Sequence, residues 1–290
     1  MAGRRGPRGA LAPYLFAAPA VFFAAAFSYF PFLRTAAFSV SRVSRRGEIL
    51  EFVGAANFLA AFGRDDFRAS LYNTLRLAAM YVPSSILLAV GLALLVRRRL
   101  WAALPEMLFT MPMAVSMSTA SLIFKVMLNP TVGIVNSMLG AEFAWFQDPE
   151  RAMLAVLLLH LWAGLSFDFL IVLASLRQVP GQMLEAARVD GAGRWRLFFS
   201  MQLPMLMPAL FFIGCINAVL AMMTATPILL ITEGGPFMQT QTLVYSMFVF
   251  GHMSQNYAAA GVYAMAAFAL SLGAVLLAFA ALDRRLHYES

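Results

Sequence analysis

Apolar and polar positions fall in long blocks along this chain, not at the two-residue period of a strand. Six apolar stretches approach or exceed the roughly 20 residues that cross a bilayer as helix. They are Leu11–Leu33, Leu71–Val96, Met107–Met127, Met153–Leu176, Met205–Ile231 and Ala258–Leu282, separated by polar connections. The pattern predicts an all-α polytopic membrane protein with six transmembrane helices. Residues 1–10 form one tail, 11–282 the membrane domain and 283–290 the other tail. The first stretch follows Arg4, Arg5 and Arg8 as in a secretory signal, but it is longer than a signal's apolar core. No small-residue cleavage site leads into a polar mature sequence either, so it reads as a retained helix.

Composition agrees. Hydrophobic residues make up 61% of the 290 and charged residues 12%, with a mean hydropathy of +0.77. Soluble domains hold about 45–50% and 25%, so a soluble globule is excluded, and disorder with it. The net charge of +7, from 21 basic and 14 acidic residues, does not indicate nucleic acid. The basic residues form short clusters between apolar blocks and not one continuous face. Cys215 is single and lies in an apolar run, and the three histidines join no metal-binding spacing. No phosphate-cradling G-x-x-x-x-G-K-[ST] loop occurs, so any nucleotide chemistry belongs to another chain.

Lys and Arg in short flanks remain on the cytoplasmic side of a membrane. With both termini cytoplasmic, the inside segments hold Arg4, Arg5 and Arg8; Arg97–Arg99; Arg177, Arg188, Arg194 and Arg196; and Arg284 and Arg285. The second outside loop and its flanks hold only Lys125 and Arg151, and the third holds no basic residue. The first fits poorly, with Arg34, Arg42, Arg45, Arg46, Arg64, Arg68 and Arg76.

The inside loop 177–203 carries the most information. Pro180-Gly181 ends the fourth helix. Gln182–Val189 is rich in helix formers, with Glu185 near its start, where the helix dipole favours a carboxylate. Asp190-Gly191 supplies a turn. Arg194-Trp195-Arg196, followed by Leu197-Phe198-Phe199, reads as an interfacial ramp, and Pro204 opens the fifth span. Physics alone leaves open an ordinary inter-helix loop. The spacing adds more: Glu185-Ala186-Ala187, Gly191 and Leu203-Pro204 resemble the EAA motif of ABC importer permeases (E-A-A-x3-G-x9-I-x-L-P), with Met201 in the isoleucine position.

The resemblance spans nearly the whole chain. Pro13-Tyr14-Leu15-Phe16, Pro19 and Tyr29-Phe30-Pro31 are similar to the first helix of carbohydrate-uptake permeases. Phe52-Val53-Gly54 and Asn57-Phe58 are similar to the short segment after it, and Asn73-Thr74 to the opening of the second helix. Asn129-Pro130 with Gly133 and Asn136 resembles the exit of the third helix, and Glu233-Gly234-Gly235-Pro236 with Thr242-Leu243 the loop after the fifth. The chain therefore resembles a type I ABC importer permease of the maltose/sn-glycerol-3-phosphate group. That resemblance implies a bacterial cytoplasmic (inner) membrane protein moving a sugar, a polyol or an sn-glycerol-3-phosphate-like solute. It further implies a second permease subunit, two ATP-binding cassette ATPases and an extracytoplasmic substrate-binding protein. Lipid surrounds the chain, no cofactor resides in it, and ATP and Mg²⁺ sit on the ATPases. By the same resemblance, the helix at Glu185–Val189 couples to the ATPase. Ala186 and Ala187 permit close approach, Gly191 allows the turn, and Glu185 and Asp190 meet basic groups.

Polar groups at membrane depth are costly and usually face a cavity or one another. They are Lys125, His160, Asp168, Asn217, Thr224 and Thr226. Lys125 either snorkels outward or faces the interior. His160 is either a packed histidine or a ligand, and Asp168 either lines the pathway or makes a structural pair. Asn217 and Thr224 share a helix face. With Trp162 as a stacking surface, these groups would suit a weak polyol site. The alternative is an ion-coupled secondary transporter, which would need coupling carboxylates or broken helices at mid-membrane, usually in paired halves; a membrane enzyme lacks a catalytic constellation.

Overall fold

The computed structural model describes residues 7–96 and 103–283, so Arg4, Arg5, Arg97–Arg99, Arg284 and Arg285 lie outside the described residues. Helix α1 (Pro7–Ala24) runs through one wide turn at Ala25–Tyr29 into α2 (Phe30–Ser39). A hairpin of β1 (Ser41–Val43) and β2 (Ile49–Phe52) and a short α3 (Ala56–Phe62) lead into α4 (Asp65–Val96). Then follow α5 (Ala103–Thr110), a 3₁₀ turn at Met111–Ala114, α6 (Met117–Met127), α7 (Ile134–Leu139) and α8 (Pro149–Gln178). Helix α9 (Gly181–Val189) precedes α10 (Arg194–Leu197), a wide turn at Phe198–Gln202 and α11 (Leu203–Met222). A wide turn at Ile228–Thr232, α12 (Leu243–Phe248), another at Val249–Met253 and α13 (Tyr257–Asp283) complete the chain.

The core is a three-helix packing of α4, α8 and α11. On α4, Leu77, Tyr81, Ser85, Ala89 and Ala93 recur every fourth residue, and all are buried. That spacing keeps one face turned inward, and its small residues let neighbouring backbones approach closely. Ala89, Ala93 and Val96 pack against Phe169, Val172, Leu173 and Leu176 of α8 and Leu206, Leu210 and Ile213 of α11. Helix α13 packs on α2, where Phe32 meets Phe268 edge-on at 4.8 Å, and on α12. Helix α1 instead leaves Tyr14, Phe16, Phe22 and Phe23 exposed, and the wide turn after it Phe27.

Five helical runs are long and apolar enough to cross a membrane; a sixth results only if a bent pair counts as one span. That pair is the expected third span. Ala103–Ala114 and Met117–Met127 meet at 103°, because Pro112 interrupts the helical ladder and Ser116 caps a new helix by accepting from the Thr119 amide at 3.2 Å. The fifth span also differs from the expectation. It is helical from Arg194, not Met205, and it stops at Met222, not Ile231. Pro204 falls in the first turn of α11, as expected, but inside the longer run. Lacking an amide hydrogen and crowding the preceding turn, it follows a wide turn in which the Leu203 amide reaches back to the Phe198 carbonyl.

Asn73 and Thr74 do not open the second helix either, which begins at Asp65. They clamp the loop after α11. Asn73 donates to the Met238 and Gln241 carbonyls at 2.7 and 3.0 Å, and Thr74 accepts from the Leu243 amide at 3.0 Å. The Glu233–Pro236 segment belongs to this clamped loop, where the Tyr245 hydroxyl donates to the Glu233 carbonyl at 2.6 Å. Lys125 lies partly exposed on the same side. It donates to the Leu230 carbonyl at 2.9 Å and stands 3.8 Å from the exposed Glu233 carboxylate.

Candidate functional site

The two interrupted helices meet. The break at Met111–Ser116 and the break at Met223–Pro227 both border a cavity of about 530 Å³ between α4, α8 and α11. Apolar walls come from Pro112, Met113, Met117, Phe167 and Met223, and polar groups from Tyr81, His160, Asn217, Thr224 and Thr226. The Thr224 hydroxyl donates to the Leu220 carbonyl at 2.9 Å and lies 2.6 Å from His160 Nε2. With the hydroxyl proton on Leu220, the imidazole Nε2–H donates to Thr224. The Tyr81 ring meets the His160 ring edge-on at 5.5 Å. Its hydroxyl rests against Gly164, where an added Cβ would stand 2.0 Å from the Tyr81 oxygen.

Behind this wall, Asn217 Nδ2 donates to Ser85 Oγ at 2.8 Å and to Asp168 Oδ2 at 2.6 Å. One amide thus ties α4, α8 and α11 together. Of the candidate pathway residues, His160, Asn217, Thr224 and Thr226 line the cavity. Asp168 does not: it is fully buried and holds Asn217 from the rear, and its second oxygen has no partner among the described residues. Trp162 does not line it either. It packs with Phe124 (centroids 5.6 Å apart) in the neighbouring cluster of Ala120, Leu159 and Ile231. Tyr81, Gly164 and the two breaks are not apparent from polar residues at membrane depth. Pro112 and Pro227 were the available signals.

At one end of the core, α9 stands on an apolar knot of Val179, Leu184, Ala187 and Leu197. Glu185, Ala186 and Asp190 are exposed, whereas Ala187 is buried in the knot, so only Ala186 of the alanine pair is open to a partner. Glu185 is the fifth residue of the helix, beyond the first turn where the dipole favours a carboxylate. Gly181 starts α9 and is not a turn residue. Gly191 closes the helix in the left-handed region at φ +81°. The Ala192 amide reaches the Ala187 carbonyl at 2.9 Å and the Gly191 amide the Arg188 carbonyl at 3.0 Å, the paired bonds of a Schellman cap.

A family model described as "Binding-protein-dependent transport system inner membrane component" matches residues 55–288. The chain belongs to this family. It is 30% identical over 287 residues to the sn-glycerol-3-phosphate transport system permease protein UgpA of Pectobacterium atrosepticum, with 97% of each chain covered. Against the protein of the same name from Yersinia enterocolitica it is 29% identical over 282 residues, covering 96% of each. Among solved structures, it superposes on a chain of a bacterial ABC transporter involved in the import of the acidic polysaccharide alginate. The TM-score there is 0.82 at 20% identity, over 97% of both chains. A bacterial alginate ABC transporter in complex with an alginate-pentasaccharide-bound periplasmic protein gives 0.80 at 19% identity over 93% of both. These two likenesses concern the fold.

As a member of the binding-protein-dependent transport family, the chain is a multi-pass inner-membrane permease of an ABC importer, a transport component and not an enzyme. Family membership decides against the ion-coupled alternative. A bent span of the kind that alternative would need is present, so the decision rests on the family and not on helix continuity.

Proposed function

We propose that this permease is one of a pair that takes a sugar, a polyol or a polyol phosphate from a soluble binding protein and passes it into the cell. Two ATPase subunits hold ATP and Mg²⁺ and drive the cycle. In this reading both termini and residues 177–203 face the cytoplasm, and α9 is seated on an ATPase. Glu185, Ala186 and Asp190 form the contact face, and Gly191 provides the corner.

The knot beneath α9 is the observation that supports this most. Val179, Leu184, Ala187 and Leu197 join α9 both to the end of α8 and to the run leading into α11. Those helices carry His160 and Asn217, and Thr224 lies two residues beyond the end of α11. A displacement of α9 therefore reaches the cavity along two packed helices. Coupling requires that nucleotide and binding protein favour the same permease state.

The cavity's chemistry supports a hydroxylated solute. Among the described residues its lining includes no Lys, Arg, Asp or Glu, while an imidazole, an amide, two threonines and a tyrosine offer neutral donors and acceptors. A phosphate, as carried by the solute named for the UgpA relatives, would then be recognised by the binding protein or the second permease. Reconstitution with ATPase and binding protein tests the proposal. Uptake should require ATP and stop with vanadate, and Glu185→Lys should abolish it while insertion survives. Uptake by this chain alone, driven by a proton gradient, would overturn it.

A further inference from the structure

A second recess lies far from the cavity, between the last turns of α4 and the α9–α10 corner, with a volume of about 720 Å³. Its floor is apolar. Leu87 and Leu95, 73% and 63% exposed, stand one above the other along α4 with Gly91 between them. Leu87, Gly91 and Leu95 follow one another at intervals of four residues, so they share a helix face. Among the described residues, no atom outside its own helix backbone lies within 4 Å of where a Gly91 side chain would begin, so the groove continues past it.

The rim has the opposite character. Arg188, Arg194 and Trp195 border the recess. Among the described residues neither arginine forms an ion pair, so two positive charges face the opening uncompensated. Trp195 is 71% exposed and stacks on Phe199 at 6.0 Å, the arrangement of an aromatic side chain at headgroup level. In sequence, Arg97, Arg98 and Arg99 follow directly on α4.

We propose that this groove is a binding site for one anionic phospholipid. An acyl chain lies along the α4 leucines past Gly91, and the headgroup phosphate meets Arg188 and Arg194, with Trp195 beside it. An apolar floor that rises to a cationic rim matches a lipid's own gradient from chain to phosphate. Basic pockets between membrane helices are known to hold anionic headgroups. A helix from another subunit could cover the leucines, but it would have to bring acidic side chains of its own to the rim to meet both guanidinium groups. This inference is independent of the transport proposal, since it concerns only what fills the recess.

The permease, purified with its partner subunits and stripped of loosely held lipid, is to be examined by native mass spectrometry. Phosphatidylglycerol and phosphatidylethanolamine are supplied in equal amount. One phosphatidylglycerol per chain should be retained preferentially. Arg188→Gln with Arg194→Gln should reduce that preference roughly thirtyfold, from the combined attraction of two near-surface arginines. Arg196→Gln, outside the recess, should leave it unchanged. Independently of variant folding, Trp195 emission (wild type minus Trp195→Phe) should be quenched by brominated phosphatidylglycerol more than by brominated phosphatidylcholine. Equal retention of the two lipids, equal quenching, or displacement of the lipid by millimolar inorganic phosphate would overturn the proposal. So would cross-linking of a cysteine placed at Leu95 to a partner subunit in the assembled complex.

Discussion

The α9 corner and the mid-helix cavity are stabilised in opposite ways. At the corner the apolar groups point inward and the polar ones outward. Leu184 and Ala187 hold the knot, while Glu185, Asp190 and Arg188 are exposed. At the cavity the polar groups themselves are buried: Asp168, Asn217, Ser85, His160 and Thr224 are at most 5% exposed. An exposed charge on a preformed support can be exchanged at little cost to the fold, since surface substitutions usually stay within about 0.5 kcal/mol. A buried hydrogen-bonded carboxylate has no such freedom, because removing one partner leaves the other unsatisfied. The comparison therefore separates two kinds of candidate residue, one replaceable at little structural cost and one that holds the core together.

The largest expected effect tests that separation directly. Asp168→Ala removes the acceptor of Asn217 Nδ2 from a fully buried site and should lower stability by about 2–3 kcal/mol, read as a fall in the thermal unfolding midpoint of the purified complex. Glu185→Gln should leave that midpoint where it was. Equal midpoints for the two variants would break the comparison.

A somewhat smaller effect sharpens it within the cavity. Gly164→Ala brings a Cβ to 2.0 Å from the Tyr81 hydroxyl, whereas the next ring atom would be 3.3 Å away. Overpacking of this kind costs about 1–3 kcal/mol. Tyr81→Phe removes the clashing oxygen, so the double variant should recover most of the loss and the two changes should be strongly non-additive. Additive losses in thermal denaturation would mean that Tyr81 is not seated on Gly164.

The same contrast governs what could be read from the chain. The anchors of the corner fall between Val179 and Leu197, so its helix, its glycine stop and its basic-aromatic ramp leave a spacing that can be read directly. Cavity contacts join residues far apart: Asn217 and Ser85 are separated by 132 positions and Thr224 and His160 by 64. Residue type alone could say that such groups need partners but not which ones. Hence residue type leaves Asp168 open between lining and structural pair, and the structure shows the pair, with Asn217; Trp162 stands beside the cavity and not on its wall. Hydropathy found the stretches and missed the breaks because the hydroxyls at the bend, Ser116, Ser118 and Thr119, are too weakly polar to interrupt the otherwise apolar stretch from Met107 to Met127. Proline was an ambiguous signal. Pro83 and Pro208 lie inside unbroken helices, whereas Pro112 and Pro227 lie at interruptions. At the first break, the Ser116 cap distinguishes an interruption from a tolerated proline.

The smallest expected effect concerns the two glycines of the corner, which look alike in sequence and differ in structure. Gly191 sits at φ +81° with open space around it, so its role is conformational and not steric. Alanine there should cost about 1 kcal/mol, the penalty of a left-handed backbone for a residue with a Cβ. Gly181 also has open space but lies in the first turn of α9 with no such backbone demand. Alanine at that position should be neutral or stabilising by up to about 1 kcal/mol, because it restricts the unfolded chain. Paired thermal denaturation of Gly191→Ala and Gly181→Ala should therefore move in opposite directions or differ by about 1–2 kcal/mol. If Gly181→Ala proves the more damaging, the corner is set by the Pro180-Gly181 step and not by the cap at Gly191, and the support beneath Glu185 would have to be redrawn from that end.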